Sequence, residues 1–303
     1  MARPSPQTDR VVALVEILAE QPDVAITLAE ATRRLRVNKS TCHAMLTTLT
    51  EQAWLLRDPA TKTYRLGPAL VAVARVAAQS FPLLDLAHPA MVDLSLEIGA
   101  NCAAIGVSAE HVEVLDQIRD LRASGEGLRV GASIPLRPPF GASAIAWAAP
   151  EVIDRWLGHA PAANRAHYRD ALDAIRARGY VLEAAASSTN RLEDLLSFAG
   201  DDVTDAQRER AMFEPELLDR IARELATQDD YLVATIDPGR DYTIVTMSAP
   251  VFDADGGVPL LLSLWGFPSR VKGEEVDRIG RHLAAATITL SRSVAGAVAH
   301  AAP

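Results

Sequence analysis

The chain has few cysteines and no long hydrophobic run, and both absences exclude whole classes of protein. Only Cys42 and Cys102 occur among 303 residues, and their separation does not suit a structural zinc site or a disulfide scaffold. No apolar stretch reaches the about 18 residues that span a bilayer. The first nine residues do not resemble a secretory signal. We therefore expect a protein of the cytoplasm with no membrane partner.

The common motifs of catalysis and nucleotide binding are also missing. The sequence contains no GxSxG, HExxH, P-loop or GxGxxG pattern. His159 and His167 lie in a polar region without the carboxylate pattern of a metal site. We predict no catalytic residue, metal ligand or cofactor, and expect that the protein is not an enzyme. The alternative is a hydrolase or lyase with an incidental helical N-terminus.

Charge is unevenly distributed along a chain whose net charge is −9. Residues 1–70 carry nine Arg and Lys against seven Asp and Glu, a net +2, whereas residues 71–303 carry 21 against 32, a net −11. A local basic region on an acidic protein is typical of a surface that faces phosphate groups. A solvated surface with a chance excess of positive charge is the other interpretation.

The N-terminal pattern is that of three helices followed by a β-hairpin. Apolar residues recur at helical spacing over 10–20, a capping box opens at Thr27, and a third helix is predicted over 39–52. Residues 54–57 and 62–66 are predicted to be two short strands around an Asp-Pro turn. This order of elements predicts a winged helix-turn-helix.

The third helix combines an apolar face with a small polar face. At about 100° per residue, Cys42, Met45 and Leu46 fall on the core side. The opposite side is uncharged except for Glu51, so it can enter a DNA major groove without bringing many negative charges to the phosphates. We predict DNA contacts from this face and the basic residues around it: Arg33, Arg34, Lys39, Ser40, Thr41, His43, Ala44, Thr47, Thr48, Arg57, Lys62 and Arg65.

Some of these residues have a second interpretation. Ser40 and Thr41 can cap the helix instead of entering the groove. His43 can pack against Trp54 instead of reaching a base. The two arginines of the second helix can pair with Glu30. The basic residues of the wing are expected to meet phosphates, which positions the domain without reading sequence.

From residue 82 onward, helices and strands mix in an order that predicts an α+β sensor domain over 82–303. A linker helix over 68–81 separates this domain from the DNA-binding domain over 1–67. The predicted strands of the sensor are 102–107, 111–118, 128–134, 243–252 and 259–267, and its predicted helices include 83–98, 163–178 and 273–299.

These segments resemble the IclR family of transcription regulators. The residues that carry the likeness are Leu28-Ala-Glu30, Lys39-Ser-Thr41 with His43, Asp58-Pro59, Tyr64-Arg-Leu-Gly67, Arg176-Ala-Arg-Gly-Tyr180 and Ala249-Pro-Val-Phe-Asp-Ala-Asp-Gly256. The resemblance covers most of the chain. It implies a GAF-like C-terminal domain that binds a small effector, and a homodimer or tetramer that binds a double-stranded DNA operator.

The chain departs from the family pattern at three places. Ala44 stands where the family often has Arg, so contact with a thymine methyl group replaces contact with guanine. Residues 137–143 replace a His-Ala-Thr-rich segment ahead of the sensor's middle helix. Residues 187–240 form a predicted insertion after Tyr180, with a helix predicted over 215–227.

The resemblance places the effector site on the two late strands. Period-two alternation puts Thr246 and Ser248 on one face of the first strand, and Ser263 and Trp265 on one face of the second. Polar residues on buried strands need partners, which a ligand or ordinary backbone hydrogen bonds can supply. Cys102 has a second interpretation as a core residue. We predict that an aromatic or carboxylate effector contacts Cys102, Ala104, Phe140, Ser143, Thr246, Ser248, Ser263 and Trp265.

The leading hypothesis is a DNA-binding regulator in which effector binding shifts the spacing of two recognition helices across a dimer. The alternative is a small-molecule-binding regulator that acts through protein contacts without binding DNA. The intact basic wing favours the first.

Overall fold

The protein is represented by a computed structural model that describes residues 5–19, 25–78, 82–123, 130–185, 221–223, 225, 231–267 and 270–301. The chain divides into two compact units, Met1–Pro82 and Leu83–Pro303. Most of the predicted insertion lies outside the described residues. Of the helix predicted over 215–227, residues 221–223 and 225 are described, and they are helical.

The first unit is the winged helix-turn-helix predicted from the sequence. Its helices are α1 (Pro6–Ala19), α2 (Leu28–Leu35), α3 (Lys39–Glu51) and α4 (Pro68–Ala78), and its strands are β1 (Ile26–Thr27), β2 (Leu55–Arg57) and β3 (Thr63–Leu66). The strands form an antiparallel sheet in the order β1-β3-β2. The sequence did not predict β1, because two residues are too few to show alternation.

Local hydrogen bonds explain why the helices begin and end where they do. The Thr27 hydroxyl accepts a hydrogen bond from the Glu30 N–H at 3.2 Å, as the capping box predicts. Arg36 ends α2 in a left-handed conformation with φ of 49°. The apolar sides of the helices meet in a small core, in which Leu14, Cys42 and Leu46 are fully buried.

Besides the helical residues 221–223 and 225, the second unit contains one sheet and six helical elements among its described residues. The helices are α5 (Pro82–Ile98), α6 (Ala142–Ile145), α7 (Pro150–Gly158), α8 (Arg165–Arg178), α9 (Gly273–Ala301) and a short 3₁₀ turn at Ala162–Asn164. The strands are β4 (Asn101–Val107), β5 (His111–Ile118), β6 (Ser133–Pro135), β7 (Val181–Ala185), β8 (Asp241–Val251), β9 (Leu260–Trp265) and β10 (Val271–Lys272).

The seven strands follow the order β10-β8-β9-β4-β5-β6, and β7 also pairs with β8. One sheet face packs against α5 and α9 in the largest hydrophobic cluster. Residues of α9 at three- and four-residue spacing, among them Val276, Leu283 and Leu290, are buried there. On the other face, Ala144 of α6 packs against strand residues that include Trp265. The mixed α+β fold predicted from the sequence is confirmed.

Three details of this unit differ from the sequence prediction. The sequence did not predict β7 or β10. The strand predicted over 128–134 is described only as β6, Ser133–Pro135. Residues 231–233 fell inside the predicted insertion, yet Tyr231, Leu232 and Val233 are buried, and Leu232 bridges to Glu183 of β7. The end of the predicted insertion is therefore part of the sensor core.

Candidate DNA-binding and effector sites

The recognition helix α3 begins at a well-formed cap. The Asn38 side-chain oxygen accepts a hydrogen bond from the Thr41 N–H at 2.8 Å and another from the Ser40 hydroxyl at 2.7 Å. The capping role considered for Ser40 and Thr41 was therefore wrong, because Asn38 precedes them at the position where a side chain reaches the free N–H groups. Lys39 is the first residue of the helix and is exposed.

The face of α3 opposite the core is exposed as the helical wheel predicts. Ala44, Thr47 and Thr48 are exposed, and so is His43. The Thr47 hydroxyl donates to the His43 carbonyl at 2.9 Å. Its oxygen lone pairs remain able to accept from a base amino group. This is a short, uncharged surface that fits against the floor of a major groove.

The wing places basic side chains beside the recognition helix. Arg57, Lys62 and Arg65 are all exposed. The turn between the strands is held by the Asp58 carboxylate, which accepts from the Ala60 N–H at 2.8 Å and the Thr61 N–H at 3.3 Å. These backbone hydrogen bonds lower the pKa of Asp58, so the carboxylate stays charged and the turn keeps its shape.

The arginines of α2 differ from each other in exposure. Arg33 is exposed and forms an ion pair with Glu30, whereas Arg34 is half-buried. The pairing considered from the sequence therefore occurs for Arg33, and a phosphate would have to compete with Glu30 for it.

The exposed side of α4 is strongly apolar. Val71, Val73 and Val76 are 52%, 51% and 66% exposed. Exposed valines in a row are unfavourable on a surface that nothing covers. This helix was predicted from the sequence as the linker.

Register across the sensor sheet identifies the face that carries the predicted effector residues. Gln117, Ala103, Ser263 and Ser248 are successive cross-strand neighbours on β5, β4, β9 and β8. Directly paired residues lie on the same side of a sheet, and alternation adds Trp265 to this side. We call this side the effector face.

Two of the predicted effector residues lie on the opposite side of the sheet. Cys102 pairs with Leu264 and Ala104 with Leu262. Both are fully buried in the cluster that includes α5 and α9. They therefore lie across the sheet from the other predicted strand residues, because alternation along β4 shows which residues share a side but not which side that is. Ala103 lies on the effector face instead.

The polar residues of the effector face largely satisfy one another. The hydroxyl oxygens of Ser248 and Ser263 are 3.0 Å apart, and the Thr246 hydroxyl donates to Glu183 Oε2 at 2.7 Å. Neither a ligand nor backbone groups are needed to explain these buried hydroxyls. Ser143 of α6 is also buried. Phe140 is half-buried and packs against a small cluster that includes Tyr231.

Glu183 is a functional candidate that the sequence did not reveal. It pairs with Thr246 across β7 and β8, so it lies on the effector face. Its Oε2 also accepts from the Tyr231 hydroxyl at 3.4 Å. Burial raises the pKa of Glu183, while its two hydrogen bonds oppose the rise. The sequence does show a lone Glu in the apolar run after Gly179-Tyr180. Identifying that run as a strand would have placed Glu183 on one face by period-two alternation.

Two buried polar atoms on this face have no hydrogen-bond partner among the described residues. They are the indole Nε1 of Trp265, a donor, and the side-chain Oε1 of Gln117. Buried polar groups in proteins are nearly always hydrogen-bonded, so each such atom needs an explanation, and a water molecule or a ligand is the usual one.

The described ranges contain neither a metal-binding cluster nor a membrane-spanning helix. No cluster of three or more His, Cys, Asp or Glu side chains there could hold a metal ion. No helix in the same ranges is both long and apolar enough to cross a membrane.

The fold and the exposed face of α3 beside a basic wing define the class of protein, a DNA-binding transcriptional regulator. Residues 7–59 match the IclR helix-turn-helix domain. The IclR regulator of Thermotoga maritima is 15% identical, with a TM-score of 0.52 over 95% of this chain and 98% of that chain. Residues 7–59 therefore form an IclR-type helix-turn-helix domain, and the chain as a whole has the fold of the Thermotoga maritima regulator.

Two further structures cover similar shares of the chain. An IclR regulator from Alicyclobacillus acidocaldarius is 20% identical, covering 96% of this chain and 99% of that one at a TM-score of 0.46. An IclR homologue from Microbacterium hydrocarbonoxydans, solved in complex with 4-hydroxybenzoate, is 19% identical, covering 95% and 99% at a TM-score of 0.47. No curated protein sequence matches the chain.

Proposed function

We propose that the protein is a cytoplasmic transcriptional regulator whose binding to a DNA operator is controlled by a small molecule bound in its second unit. The observation that carries the DNA-binding part is the exposed, uncharged face of α3 beside three exposed basic residues of the wing. The control part rests on two buried polar atoms of the effector face that have no partner among the described residues, Trp265 Nε1 and Gln117 Oε1.

The residues divide into two groups by the DNA atoms they reach. Base edges are contacted by Ala44, Thr47, Thr48 and His43, with Ala44 facing a thymine methyl group. Phosphates are contacted by the remaining members of the predicted set, which fix the domain on the duplex. These are Arg33, Arg34, Lys39, Ser40, Thr41, Arg57, Lys62 and Arg65.

The DNA-binding unit acts as a pair. The exposed valines of α4 supply an apolar surface that a second copy of the chain covers. Two recognition helices must then match half-sites about one helical turn apart, or a multiple of this distance. An effector that favours one spacing shifts the population of the binding-competent dimer.

The deciding experiment is a salt titration of binding to DNA from the upstream region of the protein's own gene. A Lys39→Ala/Arg65→Ala variant is compared with an Arg169→Ala/Lys272→Ala variant, which removes the same charge from exposed residues of the second unit. Each lost phosphate contact lowers the slope of log affinity against log salt by about 0.9, so the first variant should lose about 2 and the control nothing.

If neither the wild-type chain nor the control prefers any fragment over non-specific DNA, DNA recognition by α3 is refuted. A regulator that acts through protein contacts would then account for the fold. Sedimentation of the wild-type chain at micromolar concentration tests the pairing, and a monomer there would refute it.

A further inference from the structure

The hydrogen-bonding groups of the effector face suit a carboxylate poorly, which is one of the two kinds of effector predicted from the sequence. Its described strand residues contribute one carboxylate, Glu183, and no Lys or Arg. An anion placed beside Glu183 would be repelled in surroundings of low dielectric constant. The face is therefore better suited to a neutral or cationic molecule.

Glu183 has an oxygen to offer to such a molecule. Both of its described hydrogen bonds, from Thr246 and Tyr231, are accepted by Oε2. Among the described residues Oε1 has no hydrogen-bond donor. Glu183 is half-buried, and a ligand N–H or O–H that donates to Oε1 would form a strong, charge-assisted hydrogen bond.

Trp265 supplies the complementary group. Its ring is only 6% exposed, and its indole N–H is buried without an acceptor among the described residues. Trp265 lies on β9 and Glu183 on β7, with β8 between them. Neighbouring strands are about 4.8 Å apart, so the two backbones are about 10 Å apart, and one small molecule can reach both side chains.

The third unpartnered atom belongs to the Gln117 amide, on the far side of Trp265. The amide presents either an acceptor or a donor, because its two orientations are nearly equivalent in shape. The Gln117 amide can therefore donate to or accept from the far end of the ligand. The Glu183 carboxylate can only accept a hydrogen bond, and the Trp265 indole N–H can only donate one.

We propose that the effector is a small non-anionic molecule, an amine or an alcohol, that donates a hydrogen bond to Glu183 and accepts one from the Trp265 indole. The inference rests on the proposed effector control and assigns the chemical class of the effector. Burial raises the pKa of Glu183, so a cationic amine also gains by drawing this group into its charged form. An alcohol donates to it in the same position.

The test uses matched compounds with one carbon skeleton and three head groups: benzylamine, benzyl alcohol and benzoate, and likewise butylamine, butanol and butyrate. Binding to the full chain is measured by calorimetry and by the shift in melting temperature. We expect the amine or alcohol of a set to bind at least about tenfold more tightly than its acid, the difference that one charge-assisted hydrogen bond makes. Glu183→Gln should remove this preference, and Trp265→Phe should weaken the preferred compounds by a similar factor.

Arg137 provides the opposing control. This half-buried arginine follows β6 and has an interaction of its own, and it supplies a positive charge in the loop before α6. The proposal would be overturned if the acids bound more tightly than the matched amines and alcohols, and if Arg137→Gln abolished that tighter binding. So would the absence of binding by all six compounds, because the unpartnered atoms would then be satisfied by water alone.

DNA binding is measured on the same samples to separate the two proposals. Operator binding without the amine or alcohol preference rejects the ligand class and leaves the regulator intact. Ligand binding with that preference but no DNA binding rejects the regulator and leaves the effector face as proposed.

Discussion

Gly67, at the junction between the wing and α4, is the position where a single methyl group should do most damage to the DNA-binding unit. A Cβ added there would lie 2.2 Å from the Ala53 carbonyl oxygen and 2.8 Å from the Trp54 carbonyl carbon. Both neighbours are backbone, so no side chain can rotate away. We expect Gly67→Ala to unfold this unit well below the wild-type melting temperature.

The size of the effect follows from the hydrogen bonds around the glycine. The Gly67 N–H donates to the Trp54 carbonyl at 2.7 Å, and the Ala69 N–H donates to the Ala53 carbonyl at 3.1 Å. Overpacking costs about 1–3 kcal/mol, and moving the backbone away weakens hydrogen bonds of about 1 kcal/mol each. A loss of about 3 kcal/mol in a unit of this size lowers the melting temperature by about 12–24 °C.

The assay is thermal unfolding followed by circular dichroism, with DNA binding measured in parallel. Gly158→Ala is the matched control, because a Cβ at Gly158 meets nothing within 4 Å. The control should lose no stability and should gain at most about 1 kcal/mol, because Gly158 is the last residue of α7. A Gly67→Ala chain that melts with the wild type and binds DNA equally well would show that the wing junction is not as constrained as these distances imply.

Three further predictions concern single residues. Asn38→Ala should cost about 1 kcal/mol of unfolding free energy and weaken DNA binding, because the Thr41 N–H loses its acceptor. Asn38→Ser supplies a neutral capping oxygen and should restore both, and an Asn38→Ala variant with unchanged stability would show that the cap contributes nothing. Because burial raises the folded-state pKa of Glu183, the wild-type chain loses stability as pH rises from the ordinary glutamate range toward neutrality. Measured by urea unfolding, the free energy of unfolding of Glu183→Gln minus that of the wild type should increase with pH. A difference that does not change with pH would contradict the raised pKa of Glu183. Gly280→Ala places a methyl group 2.2 Å from the Tyr180 ring, so it should destabilise the fold by about 1–3 kcal/mol. The same substitution at an unhindered helix position would stabilise by about 1 kcal/mol. Thermal unfolding shows whether the melting temperature falls, as we expect, or rises.

Much of the DNA-binding unit could be predicted from the sequence because its structure is local. Helical spacing of apolar residues, a capping box and an Asp-Pro turn act over fewer than about ten residues, so they can be read without knowing the fold. The face of α3 is an example, since Cys42 and Ala44 lie on opposite sides of the helix wherever it packs. The sequence did not predict the strand β1, because its two residues are defined as a strand only by their pairing with β3.

The effector face depended on the tertiary structure. Alternation along β4 separates Cys102 from Ala103, but which of them faces α5 and α9 is set by packing of the whole sheet. Glu183 became a candidate only when β7 paired with β8 and brought it to Thr246.

The sequence by itself determined the class of protein, the recognition helix and the basic wing, because these features arise from the periodicity and charge of short segments. Only the tertiary structure decided which side of the sensor sheet holds polar groups without partners. That side is built from strands far apart in the chain, since Gln117, Glu183 and Trp265 are brought together by strand pairing alone. No local pattern records such a pairing.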